Sequence, residues 1–361
     1  MELCYVGDAG SIHVQRWAWF FVERGHEVSI ITDTPGEVEG CRVERIGECL
    51  TSIRIPVVSA ALQILGKVQA IRRLLEEIKP DIVHGHYVTN YGFLAAMSGY
   101  HPLVQTVHGS DLLVDVARSF EKRFFVRYAL RKADLITSAA KHMTERVAVL
   151  GIDWKKVVTF QYGIDVDRFA LPVDANQRNP MRVISTRAFD WKYQLDTLIR
   201  AIPHVVKETP EAEFFLIGDG PDRDRLLQMI EDLGVGWAVQ LPGRVYSQDM
   251  IGLLQSGTVY VSTSVTDGAS LSLLEAMGCG LFPVVTDIEA NREWITDGEN
   301  GWLFPVGASE KLALKILQVL RDSSLRQRAI GVNRQLVEEK ASYRKNMEMM
   351  ERLYEQLVQG V

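Results

Sequence analysis

The segment 266–280, TDGASLSLLEAMGCG, combines two acids and two serines with a predicted change of backbone structure. It follows an apolar, β-branched run that predicts a strand, and it precedes a second apolar run at 282–286. A short helix is expected to begin near Ser270 and to end at Gly278 and Gly280. A helix N-terminus directs unpaired backbone N–H groups and partial positive charge outward. The segment therefore predicts an anion site that suits a phosphorylated ligand.

Two basic residues follow another predicted strand. Arg187 and Lys192, five positions apart, come after the apolar run 182–186. A guanidinium fork and an ammonium group on one loop can together neutralise a diphosphate. A solvated surface pair is the alternative, and it would be favoured for these two residues alone. Asp267 and Glu275, eight positions apart, can both face a ligand above the predicted helix start.

The loop after the first predicted strand is glycine-containing. The loop spans residues 7–11, GDAGS, and it includes Gly10. His13 follows, one residue into the next predicted helix. Glycine lets a ligand approach the backbone closely, whereas a plain tight turn explains the pattern equally well. Asp33 ends the second strand near the place of a dinucleotide fold's ribose acid, but the GxGxxG pattern is absent.

Histidines cluster at two neighbouring strand ends. His108 and Asp111 follow the run 103–107, and they can touch a polar ligand or each other; a structural role is the alternative. His84 and His86 end the preceding strand, so three histidines can share one rim. Their i, i+2 spacing and the lack of an acidic cluster argue against zinc, and no metal site is expected.

These side chains need strands that end side by side, and the chain alternates strand and helix patterns in both halves. Strands are predicted at 3–6, 27–32, 82–84, 103–107, 134–138, 182–186, 213–217, 238–241, 259–264 and 282–286. Helices are predicted at 12–24, 68–78, 119–132, 194–206 and 223–233, with an interrupted helical stretch over 311–358. Such alternation indicates an α/β chain with doubly wound parallel sheets.

The alternation weakens before it restarts, which predicts two domains. The segment 169–180 is polar, carries two prolines and lacks periodicity, as a linker does. The expected domains are 1–170 and 171–340, with a C-terminal helix at about 340–361 packing back on the first. Two such halves place a cleft between them, and ligands bind at the carboxyl ends of parallel strands.

Bulk composition narrows the function classes. A chain of 361 residues fits two domains, and a formal net charge of −6 argues against a nucleic-acid partner. Four cysteines, Cys4, Cys41, Cys49 and Cys279, lack metal-type spacing, which favours reduced thiols and a cytoplasmic location. The chain begins with a strand-like run, so we expect no signal peptide, and no apolar run approaches the roughly 18 residues that span a bilayer.

Together these segments resemble glycosyltransferase family 4, the retaining enzymes with the GT-B fold of two Rossmann-like domains facing a cleft. The likeness covers nearly the whole chain. It comprises GSIHVQRWAWFFVERGHEV, VHGSD at 107–111, YGID at 162–165, STRAFDWK, LIGDGPDRDRL and TDGASLSLLEAMGCGLFPVVTDIEANREWITDGENGWLF. Three departures concern sugar identity more than reaction class: Asp267 replaces the usual Glu, Gly268-Ala269-Ser270 replaces GFG, and Gly10-Ser11 replaces paired glycines.

The resemblance implies a role for each matching residue. For the donor, Arg187 and Lys192 hold the diphosphate, amides near Ser270, Leu271 and Ser272 meet the distal phosphate, Glu275 contacts the ribose, and Arg244 and Val245 lie near the base. Asp267 contacts sugar hydroxyls, His108 lies near the transferred sugar, and Gly268, Ala269, Gly218 and Gly10 line the donor site. His13 and Asp111 lie on the acceptor side.

The implied reaction is hexosyl transfer from a UDP- or GDP-sugar to a hydroxyl of a sugar or lipid-linked acceptor, in glycan, glycolipid or polysaccharide biosynthesis. Negative charge develops on the leaving diphosphate, and the cations and helix dipole can meet it without a metal or other cofactor. We expect same-face transfer with retention, since no carboxylate pair suited to double displacement is evident.

The segment 119–132, SFEKRFFVRYALRK, carries arginines at four-residue spacing between phenylalanines. It can form an interfacial helix on anionic lipid, which would make the protein peripheral at the cytoplasmic membrane face. An ordinary amphipathic helix with a solvated basic face is the favoured alternative.

Two other function classes stay open. A nucleotide-sugar epimerase of the same fold would need acid and base groups around the sugar but no acceptor. A non-catalytic sugar-nucleotide-binding subunit would follow if Asp267 has lost the function of Glu. A dehydrogenase is disfavoured because GxGxxG is missing.

Overall fold

The computed structural model describes residues 1–47, 56–174, 177–245 and 247–360. The chain forms two units, Met1–Gln161 with Lys345–Val361, and Tyr162–Arg344. The described part of 169–180, where the sequence predicts the linker, belongs to the second unit. Arg334 ties the start of this stretch to that unit, because its guanidinium donates to the carbonyl oxygens of Phe169 and Val166, each at 2.7 Å.

The first unit is built on a parallel sheet of seven strands in the order β3-β2-β1-β4-β5-β6-β7. The strands are β1 (Glu2–Val6), β2 (Glu27–Thr32), β3 (Arg42–Arg45), β4 (Ile82–His86), β5 (Leu103–Val107), β6 (Leu135–Ser138) and β7 (Val157–Thr159). The helices are α1 (Ile12–Glu23), α2 (Pro56–Ile78), α3 (Tyr91–Ser98), α4 (Val116–Arg118), α5 (Phe120–Lys132) and α6 (Lys141–Val149). Strands β4 and β5 are buried along their whole length, as a parallel sheet covered by helices requires.

The second unit repeats this plan with six parallel strands in the order β10-β9-β8-β11-β12-β13. The strands are β8 (Arg182–Ser185), β9 (Glu213–Ile217), β10 (Val239–Gly243), β11 (Val259–Ser262), β12 (Phe282–Thr286) and β13 (Trp302–Phe304). The helices are α7 (Leu195–Glu208), α8 (Arg223–Asp232), α9 (Ser247–Ser256), α10 (Leu271–Gly278), α11 (Glu289–Arg292), α12 (Ser309–Arg321) and α13 (Ser323–Lys340).

The last helix, α14 (Tyr343–Gln359), belongs to the first unit from Lys345 onward. Its buried Tyr354 meets His84 of β4 through a hydrogen bond between the hydroxyl and Nδ1. Glu351 of the same helix pairs with Arg24 at 2.7 Å and with His26 at 2.8 Å. These polar contacts, beside the packing of Tyr354 on Phe21, fasten the end of the chain to the first sheet.

Strand order fixes where each sheet can bind a ligand. The order reverses between β1 and β4 in the first sheet and between β8 and β11 in the second. Loops leaving two adjacent strands in opposite directions open a crevice at their carboxyl ends. The loops after β8 and β11 are those that carry Arg187 and Asp267.

The predicted strands all occur, with bounds that shift by a few residues, and the α/β class with two doubly wound sheets is confirmed. The helical stretch predicted over 311–358 consists of α12, α13 and α14, and Asp322 caps α13 by accepting from Leu325 N at 2.9 Å. Eight of the elements named above went unpredicted: β3, β7, β13, α3, α4, α6, α9 and α11. Cys4, Cys41 and Cys279 are free thiols, and Cys49 lies outside the described residues.

Candidate functional site

The loops after β8 and β11 meet at Arg187. Its guanidinium forms an ion pair with Asp267, and Nη1 donates to Ser272 Oγ at 2.6 Å and to Ser270 Oγ at 3.3 Å. Only 7% of the side chain is exposed. Strands β8 and β11 pair directly, which brings residues 80 positions apart into contact. The structure thus joins four of the predicted donor-site residues in one cluster.

The charge of Arg187 is fixed by its surroundings. Burial by itself would lower the pKa of the guanidinium, but the Asp267 carboxylate outweighs it and holds the pKa above the usual value. The Tyr193 ring covers the guanidinium, with Cζ 4.2 Å from the ring centroid. Nε of Arg187 is buried without a hydrogen-bond partner among the described residues. The site therefore holds a permanent, oriented cation with one unused donor.

Lys192 lies on the same aromatic ring as Arg187. Its Nζ is 5.1 Å from the Tyr193 centroid, and its carbonyl accepts from Val265 N at 2.9 Å. No acidic side chain within the described ranges forms an ion pair with it. Both predicted cations thus contact Tyr193, and Lys192 keeps its charge available for an anion.

The N-terminus of α10 faces this cluster. Ser270 precedes the helix and makes no side-chain cap, because its hydroxyl accepts from Arg187. The backbone N–H groups of Ser270 and Ser272 donate no hydrogen bond within the part of the chain that the structure describes. Leu271 N, by contrast, donates to Ala269 O at 2.9 Å. Two free amides beside a buried guanidinium make a concentrated positive region.

The other predicted donor residues flank the cluster. Gly268 is buried and Ala269 is half-buried in the loop before α10, and Glu275 is half-buried one turn into the helix. Arg244 is exposed and Val245 is half-buried, directly after β10. No hydrogen bond recorded for the described residues joins Arg244 to the Arg187 cluster.

Gly218 lets two loops touch. A Cβ at this position would lie 2.4 Å from the carbonyl oxygen of Arg187, and its φ of +156° is one that L side chains rarely adopt. Its N–H donates to Gly243 O at 2.9 Å, so the turn also holds the end of β10. Any side chain at 218 would push the Arg187 loop out of place.

In the first unit, His13 and His108 lie together. Their ring centroids are 5.4 Å apart, and His86 Nδ1 lies 3.1 Å from His108 Nε2. Burial lowers the pKa of His13 to about 4, with help from nearby Arg16, and burial also holds the pKa of His108 well below its usual value. Gly10 is exposed in the loop before α1, and its N–H donates to Asp8 Oδ1 at 2.9 Å.

Asp111, placed on the acceptor side by the resemblance, is fully buried. Its carboxylate accepts from the N–H groups of Gly109 at 2.8 Å, Leu112 at 3.0 Å, Val88 at 3.1 Å and His108 at 3.2 Å. Burial raises its pKa to about 6, against these hydrogen bonds. With four donors on its oxygens, Asp111 shapes the His108 loop and offers no group to an acceptor.

A more accessible polar group lies nearby at Asp115. Its carboxylate accepts from Tyr87 and Thr89 at 3.1 Å each and from Lys122 at 2.7 Å. Tyr87 holds a positive φ of 68°, which is uncommon for a residue other than glycine. This group was not predicted from the sequence, because its members come from the loop after β4, the helical turn Asp111–Asp115 and α5. The Tyr193 ring over the Arg187 guanidinium was not predicted either, although this residue adjoins Lys192.

Asp33, considered as a ribose acid, is engaged elsewhere. It pairs with Lys67 at 2.6 Å and with the Tyr91 hydroxyl. Over the described ranges, no group of three or more His, Cys, Asp or Glu side chains is arranged to hold a metal ion. None of the helices described is long and apolar enough to cross a membrane.

Two protein-family models match this chain, one in each unit. The model "Glycosyl transferases group 1" matches residues 170–335, and "Glycosyl transferase 4-like" matches residues 2–140. N-acetyl-alpha-D-glucosaminyl L-malate synthase of Bacillus anthracis is 24% identical over 339 residues, 89% of this chain and 87% of its own length. Phosphatidyl-myo-inositol mannosyltransferase of Mycolicibacterium smegmatis is 24% identical over 87% of this chain and 81% of its own.

A solved structure shares the fold. The crystal structure of Anabaena HepE in complex with UDP and glucose matches with a TM-score of 0.82 at 17% identity, over 99% of this chain and 100% of the other. The similarity thus extends along both units and over nearly the full length of each chain.

Proposed function

The chain belongs to the group 1, family 4-like glycosyltransferases with the GT-B fold, and we propose the reaction that its site performs. It moves a hexosyl group from a nucleoside-diphosphate sugar to a hydroxyl acceptor with retention of anomeric configuration. One observation carries the proposal: buried Arg187 is oriented at the start of α10 by Asp267, Ser270 and Ser272.

The leaving group accounts for this arrangement. As the bond from the anomeric carbon to the diphosphate breaks, negative charge grows on the phosphate oxygens. Arg187, Lys192 and the free amides of Ser270 and Ser272 are fixed donors for that charge, and each such donor typically lowers the barrier by about 3–4 kcal/mol. The nucleoside diphosphate therefore lies over α10, with its distal phosphate near the Arg187 guanidinium.

This charge neutralisation proceeds without a metal ion in our proposal. The donors named above are already positive or polarised, so the leaving group needs no further cation. Transfer should persist after exhaustive treatment with a chelator and should not rise when Mg²⁺ or Mn²⁺ is restored. A rate that collapses on chelation and returns with a divalent ion would contradict this part.

We assign the nucleoside to the flanking residues. Glu275 accepts from the ribose hydroxyls, and Arg244 and Val245 lie along the base. Between UDP and GDP sugars we favour UDP, since a structural relative of the same fold was solved with UDP and glucose. A thermal-shift screen of the chain against UDP, GDP and ADP checks this choice, and stabilisation by GDP alone would reject it.

Asp267 contacts a hydroxyl of the transferred sugar while it stays paired with Arg187. Asp is one methylene shorter than Glu, and its carboxylate here already bonds the guanidinium. Sugar recognition and diphosphate binding therefore share one side chain. This coupling makes Asp267 the residue through which sugar identity can alter leaving-group stabilisation.

Retention follows a same-face route in which the departing phosphate takes the acceptor proton. Asp111 is held by four backbone donors and Asp267 by Arg187, so neither is poised as a nucleophile. NMR of the product formed from an α-linked donor should show an α linkage. A trapped covalent glycosyl adduct on Asp111 or Asp267 would refute the route.

The acceptor hydroxyl belongs to a sugar or a lipid-linked molecule, and we place its recognition at Asp115 and Tyr87 in the first unit. Asp115→Asn should raise the acceptor KM and leave hydrolysis of the donor by water unchanged. If Asp115→Asn slows transfer and donor hydrolysis equally, Asp115 does not bind the acceptor.

We further propose that the enzyme works in the cytoplasm, in glycan, glycolipid or polysaccharide biosynthesis, and docks on the membrane through α5. Phe120 is 91% exposed and Phe124 is 62% exposed, beside exposed Arg123 and Arg131. Phe125 instead stacks on Phe93 at 4.3 Å, so only part of the aromatic set anchors the helix. Apolar rings flanked by cations suit an anionic lipid surface.

A further inference from the structure

A second imidazole lies behind His108. His86 ends β4 and is 2% exposed, and β4 pairs with β5, the strand that leads to His108. Nδ1 of His86 and Nε2 of His108 are 3.1 Å apart. Because Nε2 of His108 is occupied by His86, Nδ1 is the nitrogen through which His108 can address other groups.

Both rings are neutral, since burial holds the pKa of each well below the usual value. A contact between two neutral imidazoles needs one N–H and one lone pair. The proton on His86 therefore decides which nitrogen of His108 carries a proton. Two arrangements satisfy the 3.1 Å contact. If His86 donates from Nδ1, His108 carries its proton on Nδ1; if His108 donates from Nε2, its Nδ1 carries a lone pair instead.

The surroundings of Nε2, the other ring nitrogen of His86, discriminate between the two arrangements. Its Nε2 is buried without a hydrogen-bond partner among the described residues. The ring stacks on His84 at 4.3 Å and meets Trp17 edge-on at 5.0 Å. A proton on Nε2 would bury an orphan N–H, which proteins rarely tolerate, whereas a proton on Nδ1 is satisfied by His108.

We propose that His86 is a positioning residue that donates its Nδ1–H to Nε2 of His108 and thereby keeps the His108 proton on Nδ1. The consequence for chemistry rests on the proposed function. In the glycosyltransferase, His108 meets the transferred sugar as a hydrogen-bond donor to a hydroxyl oxygen, and it is unable to act as a base through Nε2.

The tautomers can be read directly from the full chain labelled with ¹⁵N-histidine. Long-range ¹H–¹⁵N correlation separates protonated from unprotonated ring nitrogens, and His86→Asn and His108→Gln assign the signals. We expect a proton on Nδ1 of both rings near pH 7.5. A proton on Nε2 of His86, or on Nε2 of His108, overturns the proposal. This readout does not depend on transferase activity, so it stands or falls separately from the proposed function.

Substitutions extend the test. The amide nitrogen of His86→Asn can replace the Nδ1 donor, so His108 should keep its Nδ1 proton. His86→Phe removes the donor, and His108 should become a mixture of tautomers. Transfer should then be about tenfold slower, which is the cost of about one hydrogen bond.

His84→Phe is the matched control, because His84 is equally buried but bonds Tyr354 and Thr106. It should leave the His108 tautomer unchanged; if it shifts the tautomer as His86→Phe does, packing alone is responsible and the proposal fails.

Discussion

At the scale of single residues, the site depends on Arg187 being both buried and fully charged. A buried guanidinium is costly unless it is paired, and Asp267 supplies that pair while two serine hydroxyls accept from Nη1. Because the cation is held before any ligand arrives, little reorganisation is required when charge develops on a leaving group.

A substitution at Gly218 tests how much the placement of Arg187 depends on the neighbouring backbone. Gly218→Ala puts a methyl group 2.4 Å from the Arg187 carbonyl oxygen, so the loop must move. We expect a donor KM raised at least about tenfold, equivalent to about 1.4 kcal/mol of lost binding. Gly252→Ala in α9 is the control, since a Cβ there meets nothing within 4 Å. Equal kinetics for the two variants would show that the 218 turn does not support the site.

The buried histidines predict a pH dependence of stability. The folded-state pKa of His13 is lowered to about 4, whereas the unfolded value is about 6.5. The unfolded chain therefore binds more protons between these values, and the free energy of unfolding falls as pH drops from about 6.5 toward 4. Asp111, whose pKa is raised to about 6, works in the opposite direction over part of this range.

Denaturant unfolding of the wild type and of His13→Asn between pH 8 and pH 4.5 measures this contribution. The variant should lose less stability than the wild type over the acid half of the range, while the two curves run parallel above pH 7. If both proteins lose the same amount, the His13 imidazole is not neutral in the folded state at these pH values.

At the scale of elements, strand ends explain why these side chains can be singled out from the sequence. Arg187 and Asp267 follow apolar strands of the second sheet, and His108 follows an apolar strand of the first. Within each sheet, parallel strands bring their carboxyl ends to one edge. The pairing between Arg187 and Asp267 was beyond prediction, because it depends on β8 and β11 being neighbours across 80 positions. Tyr193 was missed for a similar reason: nothing in a sequence shows which ring lies over a cation.

The elements that went unpredicted have weak local patterns. The sequence of α3, YGFLAAMS, is apolar on nearly every face, so it shows no helical periodicity. Strands β7 and β13 are three residues long and β3 has four, and each lies at an edge of its sheet. Short edge strands depend on a neighbouring strand for their hydrogen bonds, and such pairing is invisible along the chain.

Helix α5 carries the prediction about membranes. Phe120→Ala/Phe124→Ala removes two exposed rings and keeps both members of the Phe125–Phe93 stack, so the fold should persist while binding to lipid falls. Flotation with vesicles of phosphatidylcholine and phosphatidylglycerol at low salt measures binding. The wild type should float only when the anionic lipid is present.

Leu314→Ala is the matched control for this helix, because Leu314 is also 62% exposed but lies on α12 of the second unit. It should float like the wild type. If the wild type itself stays at the bottom with anionic vesicles, or the double variant floats as well as the control, α5 is an ordinary solvated helix.

At the scale of the whole molecule, one architecture occurs twice and each copy provides different chemistry. The second unit places fixed positive charge where its strand order reverses, between β8 and β11. Such charge suits an anionic leaving group. The first unit gathers neutral histidines and the Asp115 group, which suit hydroxyl recognition. Similarity along nearly the full chain to curated glycosyltransferases shows that both halves match one enzyme class.

We propose that Arg187 stabilises the leaving nucleoside diphosphate, and the turnover of Arg187→Ala at saturating donor measures this role directly. Arg200→Ala is the control, since Arg200 is an exposed arginine of α7 paired with Asp196 at 2.8 Å. We expect Arg187→Ala to slow transfer at least about a hundredfold while the control keeps the wild-type rate. Near-normal turnover of a folded Arg187→Ala protein would contradict it.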